Sequence, residues 1–162
     1  MLTHHRKPVC LSLVSTDLPI WSVVETSATL YQKDQNRFHL LLTEPAINES
    51  LSVEASSNQS KAPGTSPRLL WLEISPSRVI MTMQGSRQLS YRHFWENGIY
   101  GISRYWLYSQ LSQGQGQVRL RNFTVDISLK GKPLPEHLRV EYELWSGKLT
   151  LGRYILNLEI HH

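Results

Sequence analysis

The C-terminal segment 138–160 alternates apolar and polar residues with a period of two, which is typical of half-buried β-strands. Its first apolar run comprises Leu138, Val140, Tyr142 and Leu144, and its second comprises Tyr154, Leu156, Leu158 and Ile160. Between the two runs lie Ser146-Gly147-Lys148 and then Leu149 and Leu151, which are in the opposite phase to Tyr154. This pattern predicts a long antiparallel hairpin and restricts the chain to folds that can accommodate one.

The turn of this hairpin is predicted at Gly147-Lys148, because glycine at the first position suits a two-residue type II′ turn. Such a turn places Leu144 opposite Leu151. One extra residue at Gly152, a β-bulge, then brings Tyr142 opposite Tyr154, and the apolar residues of both strands share one face. The same register pairs Val140 with Leu156 and Leu138 with Leu158, and it leaves Glu143 beside Arg153 on the outer face.

Period-two patterns recur along most of the chain. Further strands are predicted at Val9–Ser15, Ile20–Gln32, Arg37–Leu42, Leu51–Ala55, Leu69–Ile74, Val79–Gln84, Gln88–His93, Leu107–Leu111 and Gln117–Leu129. A change of phase in the last of these predicts a second bulge near Arg121-Asn122. Segment Ile99–Leu111 has some helical spacing, but its tyrosines, tryptophan and isoleucines favour a strand.

These elements predict an all-β, mostly antiparallel fold of eight to ten strands, with at most one or two short helices. A coiled sheet, a β-barrel and a two-sheet sandwich all remain open, because periodicity does not specify strand order. The 162 residues fit a single domain. The turn-forming stretch 56–67 is expected to be a mobile loop within that domain.

Composition limits the cellular compartments and the partners that we expect for the protein. Cys10 is the sole cysteine, which excludes an intrachain disulfide and fits a reducing compartment. No signal peptide is recognised, and no stretch has the roughly 18 apolar residues of a membrane span. We therefore expect a cytoplasmic protein. The formal net charge of +4 permits attraction to anionic partners.

The segment 86–121 combines arginines with aromatic residues and contains Glu96 as its only acid. Arginine beside aromatic rings suits phosphates and stacked bases, and it also suits other planar ligands. The predicted ligand-binding residues are Arg87, Tyr91, Arg92, Trp95, Arg104, Tyr105, Trp106 and Arg119. The alternative is that strand alternation simply places the rings inside and the arginines outside, which requires no ligand.

Local catalytic and metal-binding motifs are absent from the sequence. His39, His93 and His137 are isolated along the chain, and no His-Glu-x-x-His spacing, nucleophile elbow or phosphate loop occurs. Glu141 and Glu143 share a strand face, where solvated glutamates are the simpler interpretation. We predict no cofactor, no metal and no catalytic residue from local sequence.

Three functional classes follow, in order of preference. The first is a non-catalytic binding module that uses the 87–121 face for an anionic or planar ligand. The second is a structural or assembly subunit, because Trp145 and Ile155 fall on the outer face of the hairpin and a strand edge could pair with a second copy. The third is an enzyme whose catalytic residues, such as His39, His93 or His137 with nearby acids, meet only in space.

Overall fold

The computed structural model describes residues 3–44, 68–85, 89–108 and 115–162. All regular structure in these ranges is β-strand. The strands are β1 Thr3–Ser15, β2 Trp21–Gln32, β3 Phe38–Glu44, β4 Arg68–Ile74, β5 Arg78–Gln84, β6 Leu89–Glu96, β7 Tyr100–Tyr108, β8 Gln115–Lys130, β9 His137–Ser146 and β10 Leu149–Ile160. The predicted strand Leu51–Ala55 and the predicted loop 56–67 lie outside the described residues.

The ten strands form a closed barrel in the order β1-β10-β9-β8-β7-β6-β5-β4-β3-β2, and every neighbouring pair is antiparallel. Sequence neighbours are therefore also neighbours in the sheet, and β1 closes the ring by pairing with β10. The prediction of an all-β antiparallel fold is confirmed, and among the three open architectures the structure is the barrel. Within the predicted segment Ile99–Leu111, residues Tyr100–Tyr108 form strand rather than helix.

The C-terminal hairpin has the predicted pairs Tyr142–Tyr154, Val140–Leu156 and Leu138–Leu158. Gly147 has a φ of 61° in the turn. The bulge, however, contains Leu151 as the extra residue, and Gly152 lies opposite Leu144. The expectation that Leu144 faces Leu151 is therefore wrong by one residue.

Gly152 has a φ of 118°, a conformation that residues with a Cβ rarely adopt. A Cβ at this position would lie 3.0 Å from Leu18 Cδ1 and 3.2 Å from the Tyr154 hydroxyl oxygen. Glycine therefore serves both the backbone conformation at the bulge and the close approach of the β1–β2 turn. On the outer face, Arg153 Nη2 lies 3.7 Å from Glu143 Oε2, as predicted.

The bulge in β8 is present but displaced from its predicted position. The extra residue is Val125 rather than Arg121 or Asn122. Before it, Asn122 and Thr124 point inward and are completely buried, whereas Phe123 is only partly buried. The error arose because polar residues occupy inward positions that an apolar pattern cannot reveal.

The barrel interior has an aliphatic side and an aromatic, polar side. The aliphatic side includes Leu30, Leu40, Leu72, Val79, Val140 and Leu158, all at 0% exposure. Rings from β6, β7, β9 and β10 fill the other side, next to the buried polar residues of β7 and β8. The interior is a packed core on both sides, which fixes the shape of the outer surface.

Candidate functional site

The predicted ligand-binding residues divide between the two faces of the sheet. Tyr91, Trp95 and Tyr105 point into the barrel, and Trp95 is completely buried. The remaining described members, Arg92, Arg104, Trp106 and Arg119, lie on the outer face, and Arg87 lies outside the described residues. The predicted residues therefore do not share one face, because adjacent strand residues such as Tyr91 and Arg92 point in opposite directions.

The outer residues form a compact arrangement that sequence did not reveal. Arg92 on β6 lies directly opposite Arg104 on β7, and Arg104 lies directly opposite Arg119 on β8. Directly opposed residues in an antiparallel pair have Cα atoms about 4.5–5.5 Å apart. The three residues, named here the arginine row, therefore span roughly 10 Å across three adjacent strands.

Charge compensation around the arginine row is sparse. Arg92 Nη2 lies 4.0 Å from Glu73 Oε2, at the limit of an ion pair, and its side chain is 52% exposed. Within the described residues, Arg104 and Arg119 have no ion pair and no side-chain hydrogen bond. Like charges directly opposite one another destabilise a sheet by up to about 1 kcal/mol per pair. The row is therefore an unfavourable arrangement for the free protein.

Aromatic and apolar groups border the row on the same outer face. Trp106 is half-buried, two residues from Arg104 along β7, and lies between Ser90 and Gln117 in the register. On the other side, the Arg121 guanidinium lies 4.9 Å from the centre of the Tyr100 ring and 6.0 Å from that of Trp145. The arrangement presents cations and flat rings together.

The inward rings form a separate cluster around His93, which is 4% exposed. Its imidazole stacks on Trp95 with ring centroids 4.8 Å apart. Burial lowers the pKa of His93 to about 3, so the ring is neutral at physiological pH. Burial likewise raises the pKa of Tyr105 to about 12, with a smaller contribution from Tyr154.

A hydrogen-bond chain connects the polar residues beside this cluster. Asn122 Nδ2 donates to the Phe94 carbonyl at 3.1 Å and to Ser103 Oγ at 2.8 Å. Ser103 Oγ lies 2.7 Å from His93 Nδ1, and His93 Nε2 lies 3.4 Å from the Tyr105 hydroxyl. The Ser103 hydroxyl therefore connects the Asn122 amide to the His93 ring, and the direction of the Ser103–His93 hydrogen bond depends on the tautomer of His93.

A serine hydrogen-bonded to a histidine resembles a nucleophile and its base. Ser103 is completely buried, however, and Trp95 covers the imidazole. Neither group is exposed on the described surface, where a substrate could reach it. The buried Trp95 Nε1, Asn122 Oδ1 and Thr124 Oγ1 have no partner among the described residues. Because Ser103 and His93 are both buried, this hydrogen-bonded group of side chains fits a polar part of the core better than a catalytic centre.

A shallow cleft of about 220 Å³ lies on the outer face at His39 and Glu73. His39 Nε2 is 3.8 Å from Glu73 Oε1, too long for a hydrogen bond, and Glu73 also faces Arg92. Partial burial is the largest cause that lowers the pKa of His39. Among the described residues, no hydroxyl or thiol is hydrogen-bonded to this imidazole, so the cleft lacks an activated nucleophile.

A metal site has no support from the described ranges, where no three histidine, cysteine or acidic side chains are placed to hold an ion. Those ranges likewise include no helix of the length and apolarity needed to cross a bilayer. His93 is inside the barrel, and His137 lies at the end of the barrel near Glu136 and Glu159. The three isolated histidines therefore do not meet in one cleft.

Comparison with known proteins supports the fold. The chain is similar to the ywiB protein from Bacillus subtilis, known from a crystal structure, with a TM-score of 0.59 and 14% sequence identity. The similarity covers 98% of this chain and 94% of that protein. No protein-family model and no curated protein matches the sequence. At this level of identity the likeness shows a shared barrel fold.

Proposed function

We propose that the protein is a non-catalytic binding module that binds a multiply charged anionic ligand on the outer face of β6–β8. The arginine row carries this proposal. Three positive charges stand in register on adjacent strands, and two of them have no ion pair within the described part of the chain. A bound anion relieves their mutual repulsion and supplies the missing partners.

The proposal revises the set of ligand-binding residues that the sequence predicted. The ligand-binding set is reduced to the outward residues Arg92, Arg104, Trp106 and Arg119, and Arg121 joins it because it shares their face. Tyr91, Trp95 and Tyr105 leave the set because they point into the barrel, where Trp95 is completely buried and the Tyr105 ring packs against His93. Segment alternation explains the position of the rings, but it does not explain why three arginines face one another.

Binding of linear polyphosphate, measured by calorimetry in about 50 mM salt, tests the proposal. Replacing Arg92, Arg104 and Arg119 together by glutamine should abolish binding. The matched control replaces Arg6, Arg139 and Arg153, which removes the same net charge. Arg6 bonds Thr29 and the other two have acidic partners, all away from the arginine row. Equal loss of binding in both triple variants would refute a localised site.

A second candidate is an assembly subunit, favoured by an apolar row on another outer face. Trp21 lies opposite Val14, which in turn lies opposite Ile155, and Trp21 is 73% exposed. Neighbouring apolar groups on an outer face, of which Trp21 and Val14 are exposed, are typical of protein interfaces. Light scattering distinguishes the cases: a dimer that Trp21→Ser converts to monomer supports assembly, whereas a monomeric parent protein argues against it.

A further inference from the structure

The indole of Trp106 is the feature of the candidate surface that a simple anion does not explain. It lies on the same outer face as the arginine row, two residues from Arg104. Its register neighbours, Ser90 and Gln117, are polar, and no aromatic ring contacts it among the described residues. The ring is thus partly buried, without an aromatic partner, on the same face as three cations.

On the opposite border of the arginine row, the aromatic ring is already covered by an arginine. Arg121 already stacks over Tyr100, so this ring is covered on one face by a protein cation. Ile102, the register neighbour of Arg121, is 44% exposed. A ligand lying along the row therefore meets the partly buried indole of Trp106 on one side and an apolar, aromatic border on the other.

Few ligands carry both the negative charges that would pair with the arginine row and the flat rings that would stack on Trp106. Polyphosphate and acidic peptides supply negative charge but have no flat rings at regular intervals. Duplex nucleic acid supplies phosphates but keeps its base faces stacked against each other. Single-stranded nucleic acid supplies closely spaced phosphates and unstacked base faces, and proteins bind it by combining cationic grooves with aromatic platforms.

We propose that this face binds single-stranded nucleic acid, with the arginine row on consecutive phosphates and Trp106 stacked on a base. This inference rests on the proposed function and adds the ligand class to it. Stacking does not depend on which base is present, so binding is predicted to be tolerant of sequence. It is also predicted to weaken with salt, with a slope of about −0.7 per phosphate contacted.

Fluorescence anisotropy with a labelled 12-nucleotide oligothymidylate tests the proposal on the full chain, and unlabelled polyphosphate and polyglutamate serve as competitors. Trp106→Leu should weaken oligonucleotide binding about 5- to 150-fold, because a stacked base is lost. It should leave polyphosphate binding unchanged. Trp106→Tyr should restore most of the affinity. Trp21→Leu, a substitution of an exposed tryptophan on β2, is the matched control and should have no effect.

Arg104→Gln should weaken binding of the oligonucleotide and of polyphosphate alike, and reduce the salt slope by about 0.7. Arg6→Gln should change neither. Photo-cross-linking tests the same contact in the unaltered protein. A 5-bromouracil oligonucleotide irradiated with that protein should attach to the peptide that contains Trp106. Attachment confined to other regions would overturn the proposal even if Trp106→Leu fails to fold.

The outcomes separate the two proposals. If polyphosphate binds and the oligonucleotide binds no more tightly at equal charge, the nucleic-acid inference is wrong while the anionic site stands. If polyglutamate competes best and Trp106 affects its binding, the partner is an acidic protein and the inference is again wrong. If no polyanion binds at low salt, the proposed function fails together with its extension.

Discussion

Acid destabilisation through His93 is a quantitative consequence of the barrel interior. The pKa of His93 is lowered from 6.5 to about 3 because the imidazole is buried. The unfolded chain therefore takes up a proton near pH 6.5, whereas the folded protein takes it up only near pH 3. Below pH 6.5 the unfolded state binds more protons, so the free energy of unfolding falls as the pH falls.

The magnitude follows from these two pKa values. Each pH unit below 6.5 removes up to about 1.4 kcal/mol, which gives a loss of about 2 kcal/mol between pH 8 and pH 5. Hydrogen bonds from backbone groups lower the pKa of Asp17 and Asp34 below 3.8. Their contribution to stability is lost only at more acidic pH, so it does not overlap with this window.

Urea unfolding at constant ionic strength, at pH 8, 7, 6 and 5, measures the effect. His93→Gln should lower the free energy of unfolding at pH 8, because it leaves stacked rings without their partner, but it should remove most of the 2 kcal/mol dependence on pH. His39→Gln is the matched control and should remove only a smaller part, since His39 is only partly buried. An unchanged pH dependence in His93→Gln would refute the assignment.

Three further predictions follow from the outer face, the bulge and the buried phenols. Arg104→Gln should raise the free energy of unfolding by a few tenths to about 1 kcal/mol, because it removes two like-charge contacts; a clear loss of stability in urea would contradict the site interpretation. Gly152→Ala should cost about 1–3 kcal/mol because of the positive φ and crowding, and more than Gly147→Ala, where no atom lies within 4 Å of the new Cβ. In an alkaline titration followed at 295 nm, Tyr105 and Tyr142 should remain protonated at pH 11, because burial raises both pKa values; ionisation of all seven tyrosines by that pH in the folded protein would contradict their burial.

The C-terminal hairpin shows how much of the strand pairing can be predicted from the local sequence pattern. The alternation and Gly152 were enough to predict the pairing of Tyr142 with Tyr154, because a slip of one residue would expose an entire apolar face. The bulge in β8 was misplaced because Asn122 and Thr124 are polar and yet inside. Barrel closure could not be predicted, since pairing of β1 with β10 leaves no trace in either strand's own periodicity.

The candidate site was partly accessible from sequence. Residue types in segment 86–121 pointed to the stretch that contains the arginine row, and alternation alone would have separated Tyr91 from Arg92. The direct opposition of Arg92, Arg104 and Arg119 depends on the registers of two hairpins, which sequence left unspecified. Ser103 and Asn122 were missed because single polar residues in strands are normally assigned to solvent.

Closure of the barrel by β1 and β10 has a consequence for synthesis. Val9 lies opposite Ile160, so β1 cannot complete its pairing until β10, the last of the ten strands to be synthesised, is available. Until β10 leaves the ribosome, the edges that β1 and β9 present to it are unpaired, and such edges readily recruit other chains. The nascent protein is thus exposed to aggregation throughout the interval between synthesis of β1 and synthesis of β10, and chaperone protection would matter most during that interval.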